Sequence, residues 1–459
     1  MDHDCLLTAP SYHNPKYPIL WPLPLLIPMT IRQQSKLFRN LTRNPHRFAM
    51  RAVIFLTLGF FIFLLTYFAI PGFFMTRYEG VKVLATSTPM KKEFEATHVP
   101  IPSSVRAIYM TSCVAGTPSF RADLVDLIDK TEINSVVIDV KDSTGTLSYV
   151  SKNPELKAAL SPRCYAPDMQ KFVESLHQKG IYVIARIAVF QDPYLVKLRP
   201  DLAVKRASDG GIWKDYKGLN FTDPGAKDVW DHTILVSKEA YAMGFDELNF
   251  DYVRFPSDGN MKDIAFPWSG KKPKAEVLRE FFAYLHKNLE PTGAVLSADL
   301  FGMTTTNTDD LNIGQVLEYA LPYFDYIAPM VYPSHYPRNF LGFQNPADKP
   351  YEIIKFSMDA AVKRTIATTT PVAMIGQQPI STSTKPFLYK KKAYDANKIR
   401  PWLQDFNLGA TYTADMVQKQ IQATYDSGLD SWMLWNAGNR YTRGALLPKE
   451  VIADSKMPN

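Results

Sequence analysis

The chain has 459 residues, 46% hydrophobic and 13% aromatic, which suits one large globular domain with attachments. Its formal net charge of +7 is uneven: residues 1–71 hold seven Lys/Arg and two acids, so the rest carries only +2, and the basic balance marks an N-terminal arm rather than a nucleic-acid surface. Three cysteines exclude a disulfide framework, although Cys113 and Cys164 are candidates to pair outside the cytoplasm; no Cys/His spacing resembles a zinc site, and neither metal nor cofactor is expected.

Residues 1–50 read as a basic cytoplasmic arm without a periodic element. Residues 52–70 (AVIFLTLGFFIFLLTYFAI) carry no charge, and nineteen residues come close to spanning a hydrocarbon core of about 30 Å. Arg43, Arg47 and Arg51 flank that stretch on its N-terminal side, so the positive-inside rule places the N-terminus in the cytoplasm and all that follows outside. The segment 51–71 is therefore read as a membrane-spanning signal-anchor. A cleaved signal peptide is the rival reading, disfavoured by the long arm and the lack of a small-x-small cleavage site. Residues 72–103, with Gly, Thr, Ser, Pro and Lys and no strong period, read as a tether.

From residue 104 to 445 short apolar runs alternate with amphipathic helical stretches. Strands are predicted over 105–112, 133–140, 181–190, 245–256, 294–300 and 326–332. Helices are expected over 119–130, 168–179, 274–289, 310–321, 351–365 and 414–427. Another is expected to open at Thr222-Asp223-Pro224 and to run to Met243, with Gly244 ending it. The seventh strand has two candidates, 371–375 and 399–406 (IRPWLQDF). The second shares the polar ending of the other strands and is preferred, which makes 367–396 an insertion. The eighth strand covers 429–436, and 446–459 is a tail. Eight β-then-α repeats imply a (β/α)8 TIM barrel preceded by a single N-terminal transmembrane helix. An open doubly wound sheet is disfavoured because no Gly-rich phosphate loop follows the first strand.

The stretch 245–256 (FDELNFDYVRFP) carries the most chemistry. Apolar residues alternate with Glu247, Asn249 and Asp251, so these three share one strand face. Buried polar groups in such a row are costly unless paired or used. In a (β/α)8 barrel the site lies at the C-terminal strand ends. Polar residues gather there: Asp139 with Lys141, Arg186, Asn249, Asp251 with Arg254, and Asp299. From the later strands come Tyr332 with His335, Gln404 with Asp405, and Trp435 with Asn436. Carboxylates beside aromatic rings suit a sugar, whose C–H faces pack on rings and whose hydroxyls take polar partners. Two carboxyl groups across a glycosidic bond serve as acid and as nucleophile or base. Asp251 is the expected nucleophile or base and Asp299 its acid partner. Asp139, Arg186, Asn249, Arg254, Tyr332, Gln404, Trp435 and Asn436 are the expected substrate-binding residues, while Glu247 lies deeper and reads as a buried supporting group.

Four segments, FDELNFDYVRFP (245–256), DYIAPMVYPSHY (325–336), IRPWLQDF (399–406) and SWMLWNAGNRYT (431–442), resemble a glycoside hydrolase-like domain family of bacterial membrane-anchored and secreted proteins. The resemblance spans about 105–441. It implies a (β/α)8 barrel distantly similar to chitinase-like and amylase-like hydrolases, with Asp251 and Arg254 at its most characteristic positions. The chain lacks the chitinase-type Asp-x-x-Asp-x-Asp-x-Glu strand. The expected function is hydrolysis of a cell-surface or exported polysaccharide by a membrane-anchored enzyme. A non-catalytic carbohydrate-binding barrel is the alternative, and scattered histidines argue against a metal-dependent deacetylase.

Overall fold

The computed structural model describes residues 45–75, 96–372 and 387–449. Most of the arm and of the tether, part of the 367–396 insertion and residues 450–459 lie outside that range. The chain divides into two units, Met1–Glu93 and Phe94–Asn459.

The first unit contributes one helix, Pro45–Met75, which continues through Pro71, where the expected span ends. Its Ala49–Phe68 stretch is long and apolar enough to cross a membrane. Thr57 and Thr66 turn their hydroxyls back to the carbonyls of Val53 and Ile62 at 2.9 and 3.0 Å, so neither presents an unpaired polar group.

The second unit is built on β1 (Arg106–Met110), β2 (Ser135–Lys141), β3 (Tyr182–Ala188), β4 (Glu247–Asp251), β5 (Val295–Phe301) and β6 (Tyr326–Met330). Later in the chain come β7 (Thr369–Val372), β8 (Phe387–Lys390), β9 (Trp402–Gln404) and β10 (Trp432–Trp435). Eight of these close a parallel barrel in the order β1-β10-β9-β6-β5-β4-β3-β2, while β7 and β8 form a separate antiparallel pair. The seventh barrel strand is thus the one with the polar ending; of the other candidate, 371–375, the first two residues belong to the hairpin and the rest lie outside the described residues.

Strand parity separates two cores. Outward residues such as Ile138, Val183, Leu248, Phe250 and Leu296 pack under the helices. Inward residues, among them Tyr109, Val137, Ile184, Trp402 and Met433, fill the barrel. The helices Pro118–Lys130, Met169–His177, Lys227–Ala242, Lys274–Leu289, Pro350–Ile366 and Ala414–Asp426 lie close to their expected spans. At the N-terminal end of β4, Asp246 accepts the amides of Val99 (2.8 Å) and Val183 (2.8 Å) and pairs with His177 at 2.9 Å.

Three local expectations are corrected. The strand read over 245–256 stops at Asp251, because Tyr252 adopts a left-handed φ of 53° and turns the chain sharply. The helix expected over 310–321 shrinks to Leu317–Ala320, since Leu311, Asn312 and Gly314 all have positive φ. The helix expected at Thr222 starts at Lys227. Asp223 instead accepts the amides of Gly225 (2.9 Å) and Trp268 (2.8 Å), tying two loops together.

Cys113 and Cys164 form a disulfide across 51 residues of chain. Closing a loop of that length should stabilise the fold by about 4 kcal/mol on loop-entropy grounds. Cys113→Ser is expected to lower the denaturant midpoint accordingly, and an unchanged midpoint would mean that the bridge contributes nothing.

Candidate active site

The barrel interior is built in polar layers that follow from the parity of β4. At the bottom Glu247 is paired with Arg400, and both side chains are fully buried. Ser297 and Tyr182 also donate to Glu247, at 2.5 and 3.2 Å. One layer up, Asn249 donates to Asp299 at 2.9 Å and to Ser297 at 3.0 Å, and Trp402 Nε1 donates to the same Asp299 oxygen at 2.8 Å. At the top, Arg186 holds Asp139 at 2.6 Å through Nη1, while its Nε donates to Asp251 at 3.0 Å. Arg186 Nη2 meets Asp251 as well, and Asp299 stands 4.0 Å from Nε. One guanidinium therefore gathers three carboxyl groups from β2, β4 and β5.

Tyr109, on β1, donates to Asp139 at 2.5 Å and stacks on Trp435 with ring centroids 4.0 Å apart. Sequence reasoning gave Tyr109 no role, although its parity with the inward residues of the other strands was available as a signal. Lys141 does not pair with Asp139. A register irregularity between the two sends Lys141 to Asp192, at 2.7 Å, and to the Ala188 carbonyl, at 2.7 Å.

The environments of the carboxyl groups differ. Burial pushes Asp299 up to about 8, and the charge of Asp251 adds to the shift against the opposing pull of Arg186, Asn249 and Trp402. Burial raises Asp139 too, against the pull of Arg186 and Tyr109. Asp251 has its second oxygen on the Tyr252 amide at 2.6 Å, so the left-handed turn at Tyr252 is part of what fixes this carboxyl group.

A cavity of about 470 Å³ opens above this cluster. Of the residues expected from sequence, Asp251, Arg186, Arg254, Tyr332 and Trp435 line it. Asp299 and Asp139 stand behind that lining, and Asn249 lies deeper still. Gln404 and Asn436 are spent on backbone. Gln404 accepts the Ser334 amide at 3.1 Å and donates to the Phe406 carbonyl at 2.9 Å. Asn436 donates to the carbonyls of Asp405 (2.5 Å) and Arg440 (2.7 Å). Much of the apolar wall comes from Phe301, Met303, Leu311 and Ile313, which sequence reasoning did not select. The Asn312-x-Gly314 pair was the signal that this segment is loop rather than helix. Gln315 pins it, accepting the Phe301 amide at 2.9 Å and donating to the Val253 carbonyl at 3.2 Å.

A family model described as "Putative glycosyl hydrolase domain" matches residues 107–441. The chain belongs to this family. Membership assigns a glycosidase-like function at the level of class. A hypothetical protein from Ruminiclostridium thermocellum is 39% identical over 42% of this chain and 96% of its own, with a TM-score of 0.38. The glycoside hydrolase domain of PgaB (BpsB) from Bordetella bronchiseptica shares 13% identity over 73% of this chain and 95% of its own, with a TM-score of 0.51, a likeness of fold. Alpha-L-fucosidase isoenzyme 2 from Paenibacillus thiaminolyticus shares 10% identity over 74% and 47% of the two chains, with a TM-score of 0.48. No curated protein matches the chain.

Proposed function

We propose that the protein is a membrane-anchored, extracytoplasmic glycoside hydrolase that cleaves a cell-surface or exported polysaccharide. Asp251 acts as nucleophile or general base, and Asp299 as the acid. The observation that carries this reading is the pair itself. A carboxyl group held by Arg186 faces an aromatic-walled cavity, and a second one, on the adjacent strand, is raised to about 8 and so keeps its proton at neutral pH. A protonated carboxyl group beside a second carboxyl group is what acid-assisted cleavage of a glycosidic bond needs. Arg186, Arg254, Tyr332 and Trp435 hold the sugar from the cavity wall. Asp139 and Asn249 position the two acids from behind it, while Gln404 and Asn436 hold the loops around the mouth.

The anchor is the Ala49–Phe68 stretch, with the basic arm on its cytoplasmic side. A disulfide in the barrel unit suits the oxidising side of a membrane. Protease protection in spheroplasts tests the topology, and a barrel shielded from added protease would reverse it.

The competing reading is a saccharide-binding barrel without catalysis. One observation favours it: among the described residues Asp251 is the only carboxyl group lining the cavity, and Asp299 is just 1% exposed. Incubation of the full-length protein with a panel of polysaccharides separates the two. New reducing ends are expected, and binding without any cleavage would select the competing reading.

A further inference from the structure

Arg254 sits just past the Tyr252 turn and reaches back over the barrel mouth. Three rings surround its guanidinium: Phe301 at 5.0 Å, Tyr252 at 5.4 Å and Phe221 at 5.8 Å. Only Nη1 is used by the protein, donating to the Phe255 carbonyl at 3.2 Å and the Ser257 hydroxyl at 3.3 Å. The edge formed by Nε and Nη2 donates to no described protein group, and no described carboxylate lies within the 4.0 Å of an ion pair. Burial pulls this guanidinium below its ordinary value.

Arg254 is half-buried, whereas the buried guanidiniums of the barrel unit each have a carboxylate partner. Arg186 has Asp139 and Asp251, Arg364 has Glu318, and Arg400 has Glu247. A partly desolvated cation without a counter-charge carries some cost, and aromatic faces offset about 0.5–2 kcal/mol of it. The cavity adjoins Arg254, and its charged lining is two guanidiniums against one carboxylate, the latter already held by Arg186. The unused Nε–Nη2 edge is one that can pair side-on with two oxygens of an oxyanion.

We infer that the cavity selects an anionic saccharide, one bearing a carboxylate or sulfate group that pairs with the Nε–Nη2 edge of Arg254. This rests on the proposal that the cavity is the saccharide site.

The test measures binding of oligosaccharides in matched pairs to the full-length protein in detergent. A uronate oligomer is compared with its carboxyl-reduced twin, and a sulfated oligomer with its desulfated twin, by calorimetry. The wild type should bind the acidic member of at least one pair about 10- to 100-fold more tightly, the range for hydrogen bonds to a charged group. The pair that shows the preference identifies the anion. Arg254→Gln should bring the ratio close to one, and Arg254→Lys should restore part of it. The wild-type ratio needs no variant, so a poorly folding Arg254→Gln does not block the test. Equal affinity for both members of each pair overturns the inference, and a preference that survives in Arg254→Gln overturns the role of Arg254. Acidic binding without cleavage leaves the inference standing and removes the hydrolase reading. Cleavage with no acidic preference does the reverse, and no binding to any member removes both.

Discussion

Activity on the cleaved saccharide should fall as the pH rises through about 8, and Asp299→Asn should lower kcat/KM by about 10²- to 10⁴-fold, the usual contribution of a general acid. The sign follows from the shift. An acid catalyst works in its protonated form, and Asp299 keeps its proton until the pH approaches about 8. Above that it is deprotonated beside Asp251 and cannot protonate a leaving oxygen. Whatever activity Asp299→Asn retains should therefore lack the alkaline fall. Stability carries the same signature. The unfolded carboxyl group releases its proton near the ordinary value of about 4, so between about 4 and about 8 the native state binds more protons. The Asp299 contribution to stability is thus lost as the pH rises through that window, and Asp299→Asn should flatten the slope. A wild-type profile level across pH 7–9 would remove Asp299 from the acid role.

The second large effect is structural. Glu247 and Arg400 form an ion pair with no exposed side-chain surface, at the opposite end of the barrel interior from the cavity. Arg400→Met leaves Glu247 with only Ser297 and Tyr182 as partners, a buried acid without its cation. Removing one member of such a pair costs about 3–5 kcal/mol, whereas replacing both members with apolar groups is often close to neutral. Urea unfolding should show that loss for Arg400→Met, and Glu247→Leu added to it should recover most of it. A loss below about 1 kcal/mol for the single variant would mean that the pair is replaceable by water or by neighbouring groups.

The barrel was legible because its signals are periodic. Parity alone put Glu247, Asn249 and Asp251 on one face of β4, and the structure turns all three inward. The polar ending of 399–406 was enough to choose the seventh barrel strand over the apolar run 371–375. The apolar wall of the cavity and the turn beside it were not legible, for local reasons. The left-handed turn at Tyr252 brings Arg254 over the mouth, and nothing in a tyrosine announces a positive φ. The 310–321 segment reads as a helix, yet positive φ at Leu311, Asn312 and Gly314 breaks its first half into a loop whose Leu311 and Ile313 line the cavity. The register irregularity after Asp139 turns Lys141 away from Asp139, its neighbour on the same strand. Gln404 and Asn436 illustrate a different ambiguity: an amide at a strand end serves a ligand or a backbone equally well, and only the three-dimensional neighbours decide.

The central claim concerns Asp251, the carboxyl group that Arg186 holds at the cavity. Its most direct test compares wild type with Asp251→Asn on the polysaccharide panel, reading new reducing ends, with thermal melts and saccharide affinity measured alongside. Asn keeps the shape of the side chain but can act neither as nucleophile nor as base. Cleavage by wild type, with a loss of at least about 10³-fold in the folded, still-binding variant, is the predicted result. An Asp251→Asn protein that cleaves as fast as wild type would contradict the account.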